Sequence, residues 1–411
     1  MTARVSAHQA LIASPGSAAS VIASARRAVQ ADRYAPGSFA VEWRELTQLE
    51  PIAAEWRELA ARAIEPNVFY EPAFALDAAP VFAPDAGAVL IWSGTEPRRL
   101  LGLFPARVER RRFGFTLPIL VGLTHPYGPL GVPLVERDAA EPVIAAWLAH
   151  IAGDAALPGL VMLPFLPLDG PFAATLAPIL RRARMPAADF DRHQRALLQP
   201  DGDRTLYIER SVGQHQHKEL RRHWRRLGDT GAVLLTSATE PAAVAMAVED
   251  FFVLEAAGWK GRAGTASADD DDVRRFIRGA VVSLAAEGQA SIDRIMVDGR
   301  AIAAAIVLRS GRDAWFWKIA YDETFASLSP GVMLSVIVTD ELLDDPDIVR
   351  ADSCAVANHP MIDHLWRERL GLCNRLIAVR PSAPFSVARR LEGLRSAAMT
   401  GVKTIRGRFR R

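Results

Sequence analysis

Residues 291–343 limit the fold more than any other part of the chain: SIDRIMVDGRAIAAAIVLRSGRDAWFWKIAYDETFASLSPGVMLSVIVTDELL. Residues 292–296 alternate as a strand does, and Val297-Asp298-Gly299-Arg300 has the Asp-Gly centre of a tight hairpin. Residues 301–308 form a nearly unbroken apolar run, so this second strand is expected to be buried on both faces. Ser310-Gly311-Arg312-Asp313 turns the chain again into an aromatic strand at 314–321, followed by a loop at 322–329. Pro330-Gly331 then leads into an apolar run at 332–343, and proline in a first helical turn with serine before it marks a helix start, with Ser329 as the expected N-cap.

Such a helix start gathers unpaired N–H groups at the positive end of a dipole, and the Ser-Pro-Gly approach lets an anion come close to the backbone. A phosphate fits there, although a plain helix cap accounts for the same three residues.

A chain of 411 residues has room for two domains with cores of their own. With half its residues hydrophobic and a formal charge of +2, it is an ordinary globular chain without a dominant nucleic-acid footprint. The two cysteines, Cys354 and Cys373, lack metal-ligand spacing and read as small buried hydrophobes of a reducing compartment. No run approaches the roughly 18 apolar residues of a membrane span. Residues 1–35 are rich in Ala, Ser and Arg but lack the compact apolar segment of a signal peptide, so a disordered leader and a cytoplasmic location are expected.

In the first half, residues 39–43 read as a strand, 49–64 as a helix, and 67–80 as a loop and short helix in which Phe69, Tyr70 and Phe74 are core. Residues 88–92 and 100–107 read as a hairpin whose end carries the basic run RVERRR at 107–112, a solvated strand end or an anion site. Residues 123–135, LTHPYGPLGVPLV, are too irregular for a strand and too apolar for an ordinary surface loop. They suggest a structured loop over a cleft, with His125 and Tyr127 either facing substrate or packing the loop. A helix at 141–151, a buried strand at 159–165, a helix at 171–183 and a short strand near 204–208 complete an α/β layer.

The second half opens with a basic helix at 213–227, where Lys218, Arg222 and Arg225 share a face. His215, His217 and His223 have no carboxylate or cysteine beside them and an i, i+2 pair does not share a helix face, so no metal is expected. A strand at 232–236 and a helix at 240–257 lead to Glu255-Ala256-Ala257-Gly258-Trp259-Lys260-Gly261, which sets an acid, an aromatic wall and a cation at one rim. A helix C-cap with a packed Trp accounts for these residues as well. Beyond 343 the expected elements are a strand at 351–356 carrying Asp352, a helix at 361–370 and a strand at 376–379. Residues 389–411 hold eight Lys or Arg against one Glu, interspersed with Leu391, Leu394, Met399, Val402, Ile405 and Phe409. A basic amphipathic tail of this kind suits an anionic membrane surface, and peripheral contact with the inner face of a membrane is the expectation set beside a merely solvated tail.

Asp298-Gly299-Arg300 with the apolar strand after it, Tyr321-Asp322-Glu323, Ser329-Pro330-Gly331 and the E-x-x-G-W-K-G segment at 255–261 together resemble the GNAT acetyltransferases. The resemblance is to the branch of the CelD cellulose-biosynthesis and BioF2-like proteins, related to the FemAB-like transferases, and it covers roughly residues 40–385 by the length reasoning for such domains. It implies an α/β fold of two tandem GNAT-like (acyl-CoA N-acyltransferase) domains with mixed central sheets, at 38–203 and 204–385, between a leader at 1–37 and a tail at 386–411. The implied reaction moves an acyl group from acyl-CoA, a co-substrate rather than a resident cofactor, to an amine of an envelope-related sugar, lipid or peptide. On this resemblance Ser329, Pro330 and Gly331 hold the donor's pyrophosphate, and backbone N–H groups at Ile306 and Val307 polarise the thioester. Asp352, His359 and Glu255 handle the proton or orient the amine, and Trp259, Lys260, Tyr321, His125 and Tyr127 contact substrate.

The chain departs from the family pattern after Asp352, where the usual Tyr-Lys gives way to residues 358–366, NHPMIDHLW. No catalytic lysine carries over there, which leaves His359 as the residue best suited by its ordinary pKa to act as base. Two further readings stay open: a FemAB-like transferase taking its acyl group from aminoacyl-tRNA through the basic helix 213–227, and a non-catalytic accessory protein of polysaccharide biosynthesis.

Overall fold

The structure, a computed structural model, describes residues 39–94, 96–200, 204 and 206–408, with side chains at 214, 216 and 399–408 excepted. The expected leader, 1–37, lies outside the described residues. The strands are β1 (Phe39–Glu45), β2 (Gly87–Ser93), β3 (Leu100–Arg112), β4 (Phe115–Gly122), β5 (Leu134–Val135), β6 (Leu160–Pro167) and β7 (Ala187–Leu198) in the first half. They continue as β8 (Val233–Ala238), β9 (Ala290–Val297), β10 (Arg300–Ser310), β11 (Asp313–Tyr321), β12 (Arg350–Asp352) and β13 (Glu368–Ala378). All join one mixed sheet in the order β1-β2-β3-β4-β6-β13-β7-β12-β11-β10-β9-β8, with β5 on β3.

The β9–β10 hairpin forms as its Asp-Gly centre requires: Asp298 and Gly299 both take positive φ, 50° and 79°, the backbone of a two-residue hairpin loop that matches strand twist. Both faces of β10 are covered. Ala304, Ile306 and Leu308 pack with α7 (Pro241–Ala257) and α9 (Asp271–Ala286), while Ala303, Ala305 and Val307 pack with α10 (Pro330–Asp344). The first-half core is closed by α1 (Ala53–Arg62), α2 (Pro72–Phe82), α3 (Ala140–Gly153) and α4 (Pro171–Arg182). Between the halves run α5 (Tyr207–Val212) and α6 (Gln214–Gly228); α8 (Trp259–Arg262), α11 (Ile362–Leu365) and α12 (Phe385–Arg408) complete the chain. Among the described residues no helix is long and apolar enough to cross a membrane.

Local pattern misleads at four places. The strand expected near 204–208 is the helix α5, and the strand lies earlier, as β7. Residues 361–370 form only the short α11 before the chain enters β13, because β13 finds partners on both edges, β6 and β7, and cross-strand pairing overrides local helical spacing. The strand expected at 351–356 ends at Asp352, since Cys354 adopts φ 53°, outside the extended region. Ser329 stands at the N-cap position of α10 but in the left-handed conformation, φ 54° and ψ 48°, and its hydroxyl makes no capping bond.

Strand β13 ties the halves together. It comes from the end of the chain and inserts between β6 and β7, while β7 pairs in turn with β12. The first turns of α12 then pack on this junction, burying Ala388 and Glu392.

Candidate functional site

The parallel neighbours β11 and β12 pair at three residues only: Asp313 with Arg350, Ala314 with Ala351 and Trp315 with Asp352. Beyond them β11 continues to Tyr321, whereas the chain after Asp352 turns away. The parting strands leave a cleft of about 570 Å³ floored by Phe316, Trp317, Lys318 and Ile319. One rim carries Ser329, Gly331 and Val332 at the start of α10 together with Trp259, Lys260 and Tyr321; the other carries Ser353, Cys354, Ala355 and the segment from His359 to Ile362. Each rim carries a left-handed non-glycine residue, Ser329 on one and Cys354 on the other.

A bulge shapes the floor. On β10 the register shifts between Ile306, opposite Lys318, and Val307, opposite Phe316, so that Trp317 is the extra residue. As a result Trp317 and Lys318, which strict alternation would send to opposite faces, both reach Tyr127. The Trp317 indole donates to the Tyr127 carbonyl at 2.8 Å, and the Lys318 ammonium lies 4.6 Å over the Tyr127 ring. That ammonium is also 3.1 Å from Ser267 Oγ and 3.4 Å from Glu255 Oε1. Burial pushes the Lys318 pKa down to about 8, against the pull of Glu255 and with the help of Lys260.

Glu255 anchors this arrangement rather than exchanging protons. Its Oε1 accepts from Lys260 Nζ at 2.7 Å, and its Oε2 accepts from the Ser267 N–H at 2.8 Å. Burial works to raise its pKa, but Lys318 and Lys260 outweigh burial and the carboxyl falls to about 2. A group so acidic is a poor base near neutrality.

The other proposed proton carriers are also placed differently from expectation. Asp352 does not line the cleft; it is buried in an ion pair with Arg195, and its Oδ1 accepts from the Cys354 N–H at 3.0 Å, which holds the turn that opens the cleft. His359 does line the cleft, but its Nδ1 accepts from the Met361 and Ile362 N–H groups at 3.4 and 3.5 Å. Burial lowers its pKa against the opposing pull of Asp363, and with Nδ1 turned to those two N–H groups the ring nitrogen left over is Nε2. Ile306 and Val307 are buried in β10 and paired on both edges, with β9 and with β11, so their backbone is not presented to the cleft. The backbone along the cleft belongs to the next strand, β11.

His125 is stacked flat on Phe82, with centroids 4.4 Å apart at 8°, and burial lowers its pKa to about 4; it is a neutral core ring, not a substrate contact. Tyr127 stands behind Lys318 as part of its wall, its hydroxyl donating to Ser267 Oγ at 3.4 Å. Pro330 is buried in the first turn of α10 and does not line the cleft. Ser329, Gly331, Trp259, Lys260, Tyr321 and His359 are the sequence candidates that the fold does bring together around the cleft. Trp259, 60% exposed, and Tyr321, 37% exposed, make an aromatic mouth, and Glu323 fixes α8 there by accepting from the Trp259 N–H at 2.7 Å.

Lys318 is the residue that sequence reading missed. Its signal was present, a lone cation inside the apolar strand AWFWKIAY, where an unpaired charge is costly to bury.

Residues 214–345 match a family model described as an acetyltransferase (GNAT) domain, a span from α6 to the end of α10 that includes Glu255, Lys318 and Ser329 but not Asp352 or His359. No curated protein matches the sequence significantly. Among solved structures, FemX is similar at a TM-score of 0.55 and 10% identity, over 82% of this chain and 97% of that one. A conserved protein of unknown function from Bacteroides thetaiotaomicron VPI-5482 is similar at a TM-score of 0.51 and 10% identity, over 82% of this chain and 99% of that one. The α/β fold with its large mixed sheet is thus a GNAT-type acyltransferase fold.

Proposed function

We propose that the protein is an N-acyltransferase that takes an acyl group from acyl-CoA and passes it to an amine, with the chemistry in the cleft between β11 and β12. The observation that carries this reading is the conjunction of a gap between parting parallel strands, a helix start on one rim and a buried lysine of lowered pKa on the floor. In this reading the free N–H groups of Gly331 and Val332 meet the donor's phosphates. The pantetheine arm lies in the apolar gap along Phe316 and Ile319. Resemblance to the cellulose-biosynthesis branch, with an envelope sugar, lipid or peptide as acceptor, stays part of the proposal.

The neutral acceptor amine attacks the thioester carbonyl, a C–N bond forms, and the C–S bond breaks to release the CoA thiolate. Lys318, about one-tenth neutral at pH 7 for a pKa near 8, takes the proton from the attacking nitrogen and returns it to the departing sulfur. Ionised Glu255 and Ser267 keep its nitrogen aimed. His359 Nε2–H supplies a donor from the opposite rim.

Thermal unfolding with CoA, acetyl-CoA and longer acyl-CoAs tests the donor. A ligand at about 100 times its Kd stabilises the fold by roughly 2.7 kcal/mol. A shift that grows with chain length identifies a fatty donor, and the absence of a shift with every thioester overturns the proposal.

One observation favours a second reading, transfer from aminoacyl-tRNA. Helix α6 packs beside the turn Glu323–Leu328 that leads to Ser329, and its Lys218, Arg221, Arg222, Arg225 and Arg226 are exposed. Binding of tRNA that weakens steeply with salt and is lost when these residues are neutralised supports this donor in place of CoA.

A further inference from the structure

We propose that the tip of the β3–β4 hairpin and the adjoining start of α12 form a docking surface for an anionic lipid bilayer. The inference is independent of the donor and rests on a face remote from the cleft lining. Arg112 and Phe115 close the hairpin through the two-residue loop Phe113-Gly114, with φ of 51° and 80°. Loops of this kind favour Asn, Asp or Gly because both centres are left-handed, so a phenylalanine at the first is unfavourable for folding alone. Phe113 and Phe115 are nevertheless 42% and 59% exposed, two aromatic rings at the hairpin tip, with the Arg112 guanidinium over the Phe113 ring, 5.2 Å from its centroid.

Helix α12 lies against the same hairpin. Arg112 pairs with the buried Glu392, and Phe385 and Leu391 pack on the cluster that contains Leu117 and Ile119 of β4. Its outer side leaves Val387 and Leu394 exposed, at 50% and 69%. The charges sort by sign. The acidic groups here, Glu109, Asp189, Asp191 and Glu392, are all engaged by Arg107, Arg112, Arg375 or Arg395. Arg110 and Arg111 beside the tip and Arg389 and Arg390 on the helix are exposed and form no ion pair among the described residues. The sequence continues past the described side chains with Lys403, Arg406, Arg408, Arg410 and Arg411.

Exposed aromatics ringed by uncompensated arginines match the boundary of an anionic bilayer, where rings enter between headgroups and guanidinium groups meet lipid phosphates. A second copy of this chain would bring the same positive field against itself, and a nucleic acid would leave the phenylalanines unused at a position where stacking needs an accessible single strand.

The test is flotation of the full chain with vesicles of phosphatidylcholine alone or mixed with phosphatidylglycerol. Binding is expected to the mixed vesicles only and to weaken with salt. The variant Phe113→Ser/Phe115→Ser should weaken it at least tenfold, and Arg110→Gln/Arg111→Gln about 25-fold, at about fivefold per basic residue. Both pairs are exposed, so circular dichroism and the thermal midpoint should not change, and acyl transfer in solution should not change either. No flotation with mixed vesicles overturns the proposal. So does flotation that survives the double phenylalanine variant, a change in oligomeric state on that substitution, or retention of RNA in preference to vesicles.

Discussion

Replacing Lys318 separates a proton-carrying lysine from a merely cationic one. Its nitrogen is held between Ser267 and Glu255, with a pKa near 8 set chiefly by burial. As a base it works in the neutral form, so wild-type kcat/KM should rise about tenfold per pH unit up to about 8 and then level. Lys318→Met should lower the rate by about 10² to 10⁴, the usual worth of a positioned base, and abolish that limb. Lys318→Arg keeps a cation beside Glu255 but a guanidinium does not release its proton, so it should fail as badly as methionine. Glu255→Gln gives an opposite signature: Glu255 raises the lysine's pKa, and without it the limb should move to lower pH. The assay is CoA thiol release with an amine acceptor that supports turnover, followed across the pH range around 8. An arginine variant that turns over like wild type, or a limb unmoved by Glu255→Gln, would refute the base.

Three further outcomes follow from other parts of the fold. Asp352→Ala should lose about 3–5 kcal/mol in denaturant unfolding, because it strands the Arg195 guanidinium where both side chains are nearly inaccessible, 2% and 7%; Asp352→Asn, which still reaches the Cys354 N–H, should keep its pH–rate profile. Glu71 is buried beside Ser310, and burial raises its pKa to about 7, above its unfolded value. The stability that its protonated form lends is therefore full below the unfolded pKa and lost as pH rises through about 7, so Glu71→Gln should equal wild type near pH 4 and exceed it by up to about 3 kcal/mol above neutrality. Gly331→Val should raise the donor KM about tenfold or more, since a Cβ there would stand 2.9 Å from Tyr321 Cδ1 on the cleft rim, an overpacking worth about 1–3 kcal/mol; an unchanged KM would remove the donor from that rim.

What the sequence determined by itself was whatever depends on near neighbours. Asp298-Gly299 called for the hairpin and obtained it, the doubly apolar 301–308 run called for a strand covered on both faces, and Ser329-Pro330-Gly331 marked the start of a helix that does open on the cleft. The segment at 255–261 likewise put Trp259 and Lys260 on the rim. Tertiary structure alone decided which polar groups do chemistry. Asp352 and Glu255 look like bases until Arg195, Lys260 and Lys318, up to 157 residues away in the chain, engage their oxygens. His359 looked like a base until the turn after it engaged its Nδ1. Lys318 stayed hidden because its role depends on a bulge one residue earlier, which breaks the strand's alternation and brings the lysine to the Glu255 side of the sheet. Likewise β13 could not be placed from its own residues, since its two partners are strands from the first half of the chain. Periodicity records which face a residue prefers; a pKa and a strand's neighbours are set by distances between segments, and those exist only once the chain has closed on itself.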